Sequence, residues 1–402
     1  MRDSVVFERG AAVLAIVMSQ AGIVDCCHDL GKRKSGAEVS ENSVPEESET
    51  GTNADSLEKL ETYPVLRMPP VKQISSTFGH ACAVTQTGSL MCWGDNEYGQ
   101  LGDGTTIGKS DPTLVGGLSD VKQVATGTAH TCALTGGGSV YCWGNNSLFQ
   151  LGDGSNAERH KPVRVSVEDS LKSVWSGAAT IYALTSSGRL WRWGNIVSGY
   201  DQGGSRASSE RVPILYPDWP KVPGVVDVTV GSDHTCALAD NGVLCWGGNR
   251  RHQISDANWE FAASPTGVVG LYGSIPSENA IRELSAGAFH TCAITARGEV
   301  KCWGENSDGQ LGNGSKDATT AMVTPDGLRV GAKTVTAGVT AACAVSSNGE
   351  VLCWGNQYGP VPKPVPEAGK DAKQLVVGQC HACVLTYADT VRCWGDYCGV
   401  LH

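Results

Sequence analysis

The chain has 402 residues, with 31 basic and 41 acidic side chains and a formal charge of −10. A balance that acidic argues against nucleic acid or an anionic membrane surface as the partner, because both would repel it. Sixteen cysteines, most of them in regular pairs, argue for an oxidising compartment rather than the cytosol.

Residues 1–25 have the organisation of an export signal. Arg2 and Arg9 form a basic start, GAAVLAIVM a short apolar core, and Ser19-Gln20-Ala21 a small-x-small cleavage site. The apolar run is too short to span a bilayer and no later segment qualifies, so no transmembrane segment is expected in the mature chain. Cleavage is expected near Gly22, or at Cys26 with lipid attachment, although Asp25 stands where lipoprotein sites favour a small residue. Residues 26–60 read as an acidic, disordered linker. Eight carboxylates fall between Glu38 and Glu61 against the single Lys59, with no aromatic residue to bury.

From residue 61 to 402 the sequence repeats one word. It stands as HACAVTQTGSLMCWGDNEYGQLGDG from His80 and as HTCALTGGGSVYCWGNNSLFQLGDG from His130. It returns as HTCAITARGEVKCWGENSDGQLGNG from His290, with shorter copies at His234, Ala341 and His381 and a degenerate one at Thr180. The Trp-Gly ends fall at Trp93, Trp143, Trp193, Trp246, Trp303, Trp354 and Trp394. In each copy two short runs of β-forming residues flank a glycine turn, which predicts a hairpin. Folding about residue 137 sets Cys132 against Cys142, Thr131 against Trp143 and His130 against Gly144. Opposed Cα atoms lie about 4.5–5.5 Å apart, within disulfide reach.

The other copies give the same pairing: Cys82 with Cys92, Cys236 with Cys245, Cys292 with Cys302, Cys343 with Cys353 and Cys383 with Cys393. The degenerate copy loses both cysteines together, as Tyr182 and Arg192, which is how a bonded pair would disappear. Zinc, the alternative for clustered cysteines, favours Cys-x-x-Cys spacings, and only Cys380 and Cys383 have one. A seventh bridge, Cys380 to Cys398, is expected in the last hairpin. Ahead of each hairpin runs a Pro-Val or Pro-x-Leu strand and a second apolar run. This gives about four strands and no helix in each unit of about 50 residues, repeated seven times: the blades of an all-β, seven-bladed β-propeller. The last copy ends soon after its Trp-Gly, so Tyr63-Pro64-Val65-Leu66 is expected to supply its missing strand and close the ring.

The repeated GxxHTCALTxxGxVxCWGxNxxGQLGxG resembles the repeat of the regulator of chromosome condensation family, over about residues 61–402. The cysteine pair within each hairpin resembles the exported bacterial subtype known as alpha-tubulin-suppressor-like. The resemblance implies a seven-bladed propeller. The eukaryotic founder is a nuclear nucleotide-exchange factor, and no position here matches its exchange residues.

No phosphate loop, His-Glu-x-x-His helix or nucleophile elbow is present, and no cofactor or metal is expected. One carboxylate per loop, Asp103 or Asp153, is too few for calcium. His80, His130, His234, His290 and His381 recur at one repeat position, which suits a slot opposite glycine, with each ring bonded to a neighbouring backbone group, better than a catalytic ring. The widest departures from the repeat are the loops 195–211 and 248–272. In the second, Arg250, Arg251, Trp259 and Phe261 combine the residue types enriched at binding hot spots. The expectation is a monomeric, exported, non-catalytic scaffold, extracellular, periplasmic or lipid-anchored, that binds an envelope or extracellular protein or polysaccharide. The alternatives are a glycan-acting enzyme with a central-channel site and, less favoured, a guanine nucleotide exchange factor.

Overall fold

The computed structural model describes residues 66–167, 169–195, 224–254, 260–273 and 276–395. The two leader segments, 1–25 and 26–60, lie outside the described residues. The rest forms seven antiparallel sheets arranged as blades. Among the described residues five sheets have four strands and two have three. Blade 1 sets the order: an inner strand β1 (Val71–Ser76), the hairpin β2 (His80–Thr85) and β3 (Leu90–Gly94), and an outer β4 (Lys109–Leu114). The inner strands of blades 2 to 7 are Val121–Thr126, Leu171–Ser176, Asp227–Val230, Ile281–Ala286, Thr334–Ala337 and Ala372–Val377.

The expected hairpin register is present: Cys132 faces Cys142, Thr131 faces Trp143 and His130 faces Gly144. The same pairing holds in the other cysteine-bearing hairpins, and all six in-hairpin pairs are disulfides with Cα atoms 4.0–4.1 Å apart. Cys380 is buried, and its expected partner Cys398 lies outside the described residues.

Alternation along the inner strands buries their first and fourth residues between blades, so each hydrophobic cluster spans two neighbours. The cluster of Val71, Ile74, Ala83 and Trp93 from blade 1 is completed by Val376, Leu385 and Val391 from blade 7. Closure also involves the main chain. The Leu66 amide donates to Val391 O, just as Val115, Val165 and Val365 donate to Leu90, Val140 and Val351 beside their own outer strands. The chain entering blade 1 therefore passes along the outer edge of blade 7, as the orphan strand requires. Residues 63–65 of that strand lie outside the described residues.

The tryptophan of each Trp-Gly reaches the previous blade. Trp143, Trp193, Trp303 and Trp354 donate their indole N–H to the carbonyls of Gln100, Gln150, Gln253 and Gln310 at 2.8–3.2 Å. The contact needs glycine in the receiving loop: a Cβ on Gly102, whose φ is +72°, would stand 2.6 Å from Trp143 Nε1. Where that glutamine word is lacking, a tyrosine replaces it. Trp246 donates to Tyr182 Oη and Trp394 to Tyr358 Oη. Tyr182 occupies the place of a lost cysteine, fully buried and edge-on to Trp246.

Replacing Cys132 and Cys142 together with alanine should lower unfolding free energy by about 2–3 kcal/mol, as a closed loop of about ten residues implies. Urea denaturation measures it, and non-reducing peptide mapping should recover the six bridges.

Candidate functional site

The inner strands of all seven blades surround an axial channel of about 300 Å³. Its wall is tied together by the third inner-strand residue. Gln73 Nε2 donates to Val124 O and Gln73 Oε1 accepts from the Val124 amide. Gln123 holds Val174 in the same way, and Gln374 holds Ile74. Each amide side chain thus acts as a strand segment bridging two blades, and Gln374 carries the tie across the closure.

Blades 4 and 5 place carboxylates at this position. Asp227 Oδ1 accepts from the Trp175 indole of blade 3 and from the Val228 amide. Glu283 Oε1 accepts from the Thr334 hydroxyl and the Val335 amide of blade 6. Burial pushes both carboxyls up, against the hydrogen bonds that stabilise their charge. Sequence reading passed over these two non-repeating acids because attention to the hairpin word left the inner strand unaligned. The signal was Gln73, Gln123 and Gln374 giving way to Asp227 and Glu283 at one repeat position.

The histidines lie nearer the opposite end of the channel from the strand starts. His80 Nε2 meets Thr131 Oγ1 at 2.8 Å and His234 Nε2 meets Thr291 Oγ1 at 2.9 Å. His130 meets Ser176 Oγ at 2.8 Å and His381 meets Ser76 Oγ at 2.6 Å. The slot is as expected, and the partner is a hydroxyl of the next blade rather than a backbone group. The imidazole also packs against a glycine ahead of it: a Cβ on Gly127 would stand 2.1 Å from His130 Cε1. His290 differs, because blade 6 offers Ala342 where Thr131 and Thr291 stand and Ala337 where Ser76 and Ser176 stand. Its Nε2 is buried without a partner. Burial lowers the pKa of His80, His130, His290 and His381 to about 3, so these rings are neutral stitches, not proton shuttles.

The Leu-Gly-Asp-Gly loops are self-contained. Asn96 caps Leu101 and bonds back to Thr105 and Ile107. Asp103 is engaged by Thr105 and Lys109, and Asp153 by Ser155 and Arg159. Burial would raise the Asp103 carboxyl, but its bonds to Lys109 and Thr105 hold it at about 2.

Arg250, Arg251 and Phe261 lie at the channel end where the second strands start, since Gly247 faces His234 there. Arg250 forms an exposed pair with Glu260 at 3.0 Å. Arg251 bonds Glu305 and stacks 4.7 Å over Phe289, which fastens the loop to blade 5. Trp259 and residues 196–211 lie outside the described residues.

A profile described as Regulator of chromosome condensation (RCC1) repeat matches residues 87–134 and 137–183, and a second profile of the same description matches 71–100, 121–150, 225–253 and 281–310. Among curated proteins, the Ultraviolet-B receptor UVR8 of Arabidopsis thaliana is 33% identical over 143 residues, covering 34% of this chain and 30% of the receptor. The mitochondrial RCC1 domain-containing protein RUG3 of the same plant is 29% identical over 163 residues, covering 39% and 34%. The chain thus spans about a third of the length of these relatives. Among solved structures, yeast RCC1 (Prp20), described bound to Kap60, superposes with a TM-score of 0.65 at 20% identity over 77% of this chain and 78% of that one. Human WBSCR16 gives 0.65 at 19% identity over 78% and 86%. At these identities the structural matches establish the fold.

A folded-state histidine pKa below the unfolded value near 6.5 stabilises the fold fully above pH 6.5, and that contribution is lost as pH falls from 6.5 toward 3. Imidazole NMR shifts of these four residues should hold at neutral values from pH 7.5 to 5 while the melting temperature falls. Ala342→Thr should offer His290 its missing hydroxyl and raise stability by about 0.5–1.5 kcal/mol in urea unfolding.

Proposed function

We propose that this chain, a seven-bladed propeller built of regulator of chromosome condensation repeats, is an exported, non-catalytic scaffold for another macromolecule of the envelope or extracellular space. The observation that carries the reading is the condition of the channel wall. Its glutamines and its two non-repeating carboxylates are engaged in joining blades instead of being held out to a substrate. Six buried disulfides are consistent with export, since they persist where thiols are oxidised. Yeast RCC1, which shares this fold, is described bound to another protein, Kap60.

Of the loop expected over 248–272, residues Phe261–Tyr272 are the outer strand of blade 4; the connection ahead of it is the surface we assign to first contact, through Arg250, Trp259 and Phe261, with Arg251 setting it against blade 5. A glycan-acting enzyme is the second reading, resting on Asp227 and Glu283 standing in adjacent blades of the channel wall. Three measurements decide. Native protein should begin near residue 22, or at a lipidated Cys26, by intact mass, and fractionate outside the cytoplasm. Alanine at Arg250, Trp259 and Phe261 together should weaken a captured partner at least tenfold. Turnover of a glycan panel that is lost in Asp227→Asn and Glu283→Gln would replace the scaffold with the enzyme.

A further inference from the structure

The end of the channel opposite those loops carries a second pattern, at the repeat position one residue ahead of Gln73, Gln123, Asp227, Glu283 and Gln374. Around the ring this residue is Lys72, Lys122, Lys172, Val226, Arg282, Lys333 and Lys373. Six of seven are cations in a chain whose net charge is −10. In blades 1, 2, 3, 5 and 7 the inner strand shifts register there, between Val71 and Gln73 for example, so that the cation is the extra residue of a β-bulge. A bulge leaves one residue out of the ladder and re-aims its side chain. These side chains are turned out at the rim: Lys122, Lys172, Arg282, Lys333 and Lys373 are exposed and Lys72 is half-buried. The seventh position, Val226, is exposed as well.

The ring is largely uncompensated. Lys373 pairs with Asp389 at 3.0 Å. Arg282 donates only to the carbonyls of Ala332 and Lys333, and Lys122 to Gly136 O. Among the described residues Lys72, Lys172 and Lys333 have no ion pair. Of the acids farther out, Asp169 is engaged with Arg189 and Asp371 with Arg392, while Asp120 and Asp240 are exposed carboxylates beside the ring.

We propose that this rim is a docking site for a carboxylate-rich peptide segment of a partner protein. A narrow channel mouth circled by cations admits a slender anionic chain. A nucleic acid duplex would extend past the ring onto a net-acidic surface. The preponderance of lysine fits anionic groups at irregular spacing, because an ammonium is a compact point charge that imposes no fixed bidentate geometry. The site rests on the scaffold reading above but lies at the other end of the channel from Arg250, Arg251 and Phe261, so the two can fail separately.

The test uses the full chain and a fluorescein-labelled deca-glutamate peptide, followed by fluorescence anisotropy. Micromolar binding is expected at 50 mM NaCl, weakening at least tenfold at 300 mM as screening shortens the reach of the charges. The variant K72Q/K122Q/K172Q/K333Q should lose at least tenfold in affinity, while K109Q/K161Q/K316Q/K363Q, which removes the same charge away from this rim, should stay within twofold. Matching melting temperatures exclude unfolding as the cause. No binding by the native chain, or equal loss in both variants, overturns the proposal. So does a labelled heparin oligosaccharide that binds through the same four lysines when deca-glutamate does not. A glycan turnover result would overturn the scaffold reading and leave this binding measurement intact.

Discussion

The structure depends on one constraint: many of the polar groups that each blade buries find their partners on a neighbouring blade. The indole of Trp143 requires Gln100 O, Gln123 requires Val174, and His130 requires Ser176. A buried donor or acceptor left without a partner costs about 1–3 kcal/mol, and an isolated blade would leave several. The last blade must therefore meet the first. Gln374 bonds Ile74, His381 bonds Ser76 and Leu66 bonds Val391 across that junction. A closed ring also leaves no long unpaired sheet edge for association with other chains.

That constraint explains the form of the exceptions. Blade 3 lost its cysteine pair, yet the replacement is a tyrosine that fills the space and accepts the bond of Trp246. Tyr358 does the same for Trp394 from a different strand and loop. Two unrelated positions thus satisfy the same orphaned indole. His290 marks where such compensation is missing, since blade 6 has alanine at both positions from which a hydroxyl reaches the other histidines.

A wall whose side chains hold the ring together has little left to offer a substrate, and recognition moves to the two ends. One end carries the loops between third and fourth strands, where Arg251 anchors the longest described departure from the repeat to blade 5. The other end carries cations displaced by β-bulges from the inner strands. Both surfaces stand on rigid strands, which reduces the ordering cost of binding.

The sequence by itself determined the seven units, the hairpin register and the six disulfide pairs. Repetition of a word with period-2 alternation leaves one pairing that puts every cysteine opposite another. It also pointed to the segment whose described end, Leu66, bonds Val391 O of the last blade. What only the tertiary structure decided were the contacts between blades, because a side chain that recurs with the repeat does not by itself name its partner on the next blade. The hydroxyl partners of the histidines alternate between two sequence positions, Thr131 and Thr291 or Ser76 and Ser176, and only packing of one sheet on the next selects between them. The roles of Asp227 and Glu283, the anchoring of Arg251 and the grouping of six inner-strand cations at one channel mouth likewise required the ring, since closure is what brings seven separate strands around a common axis.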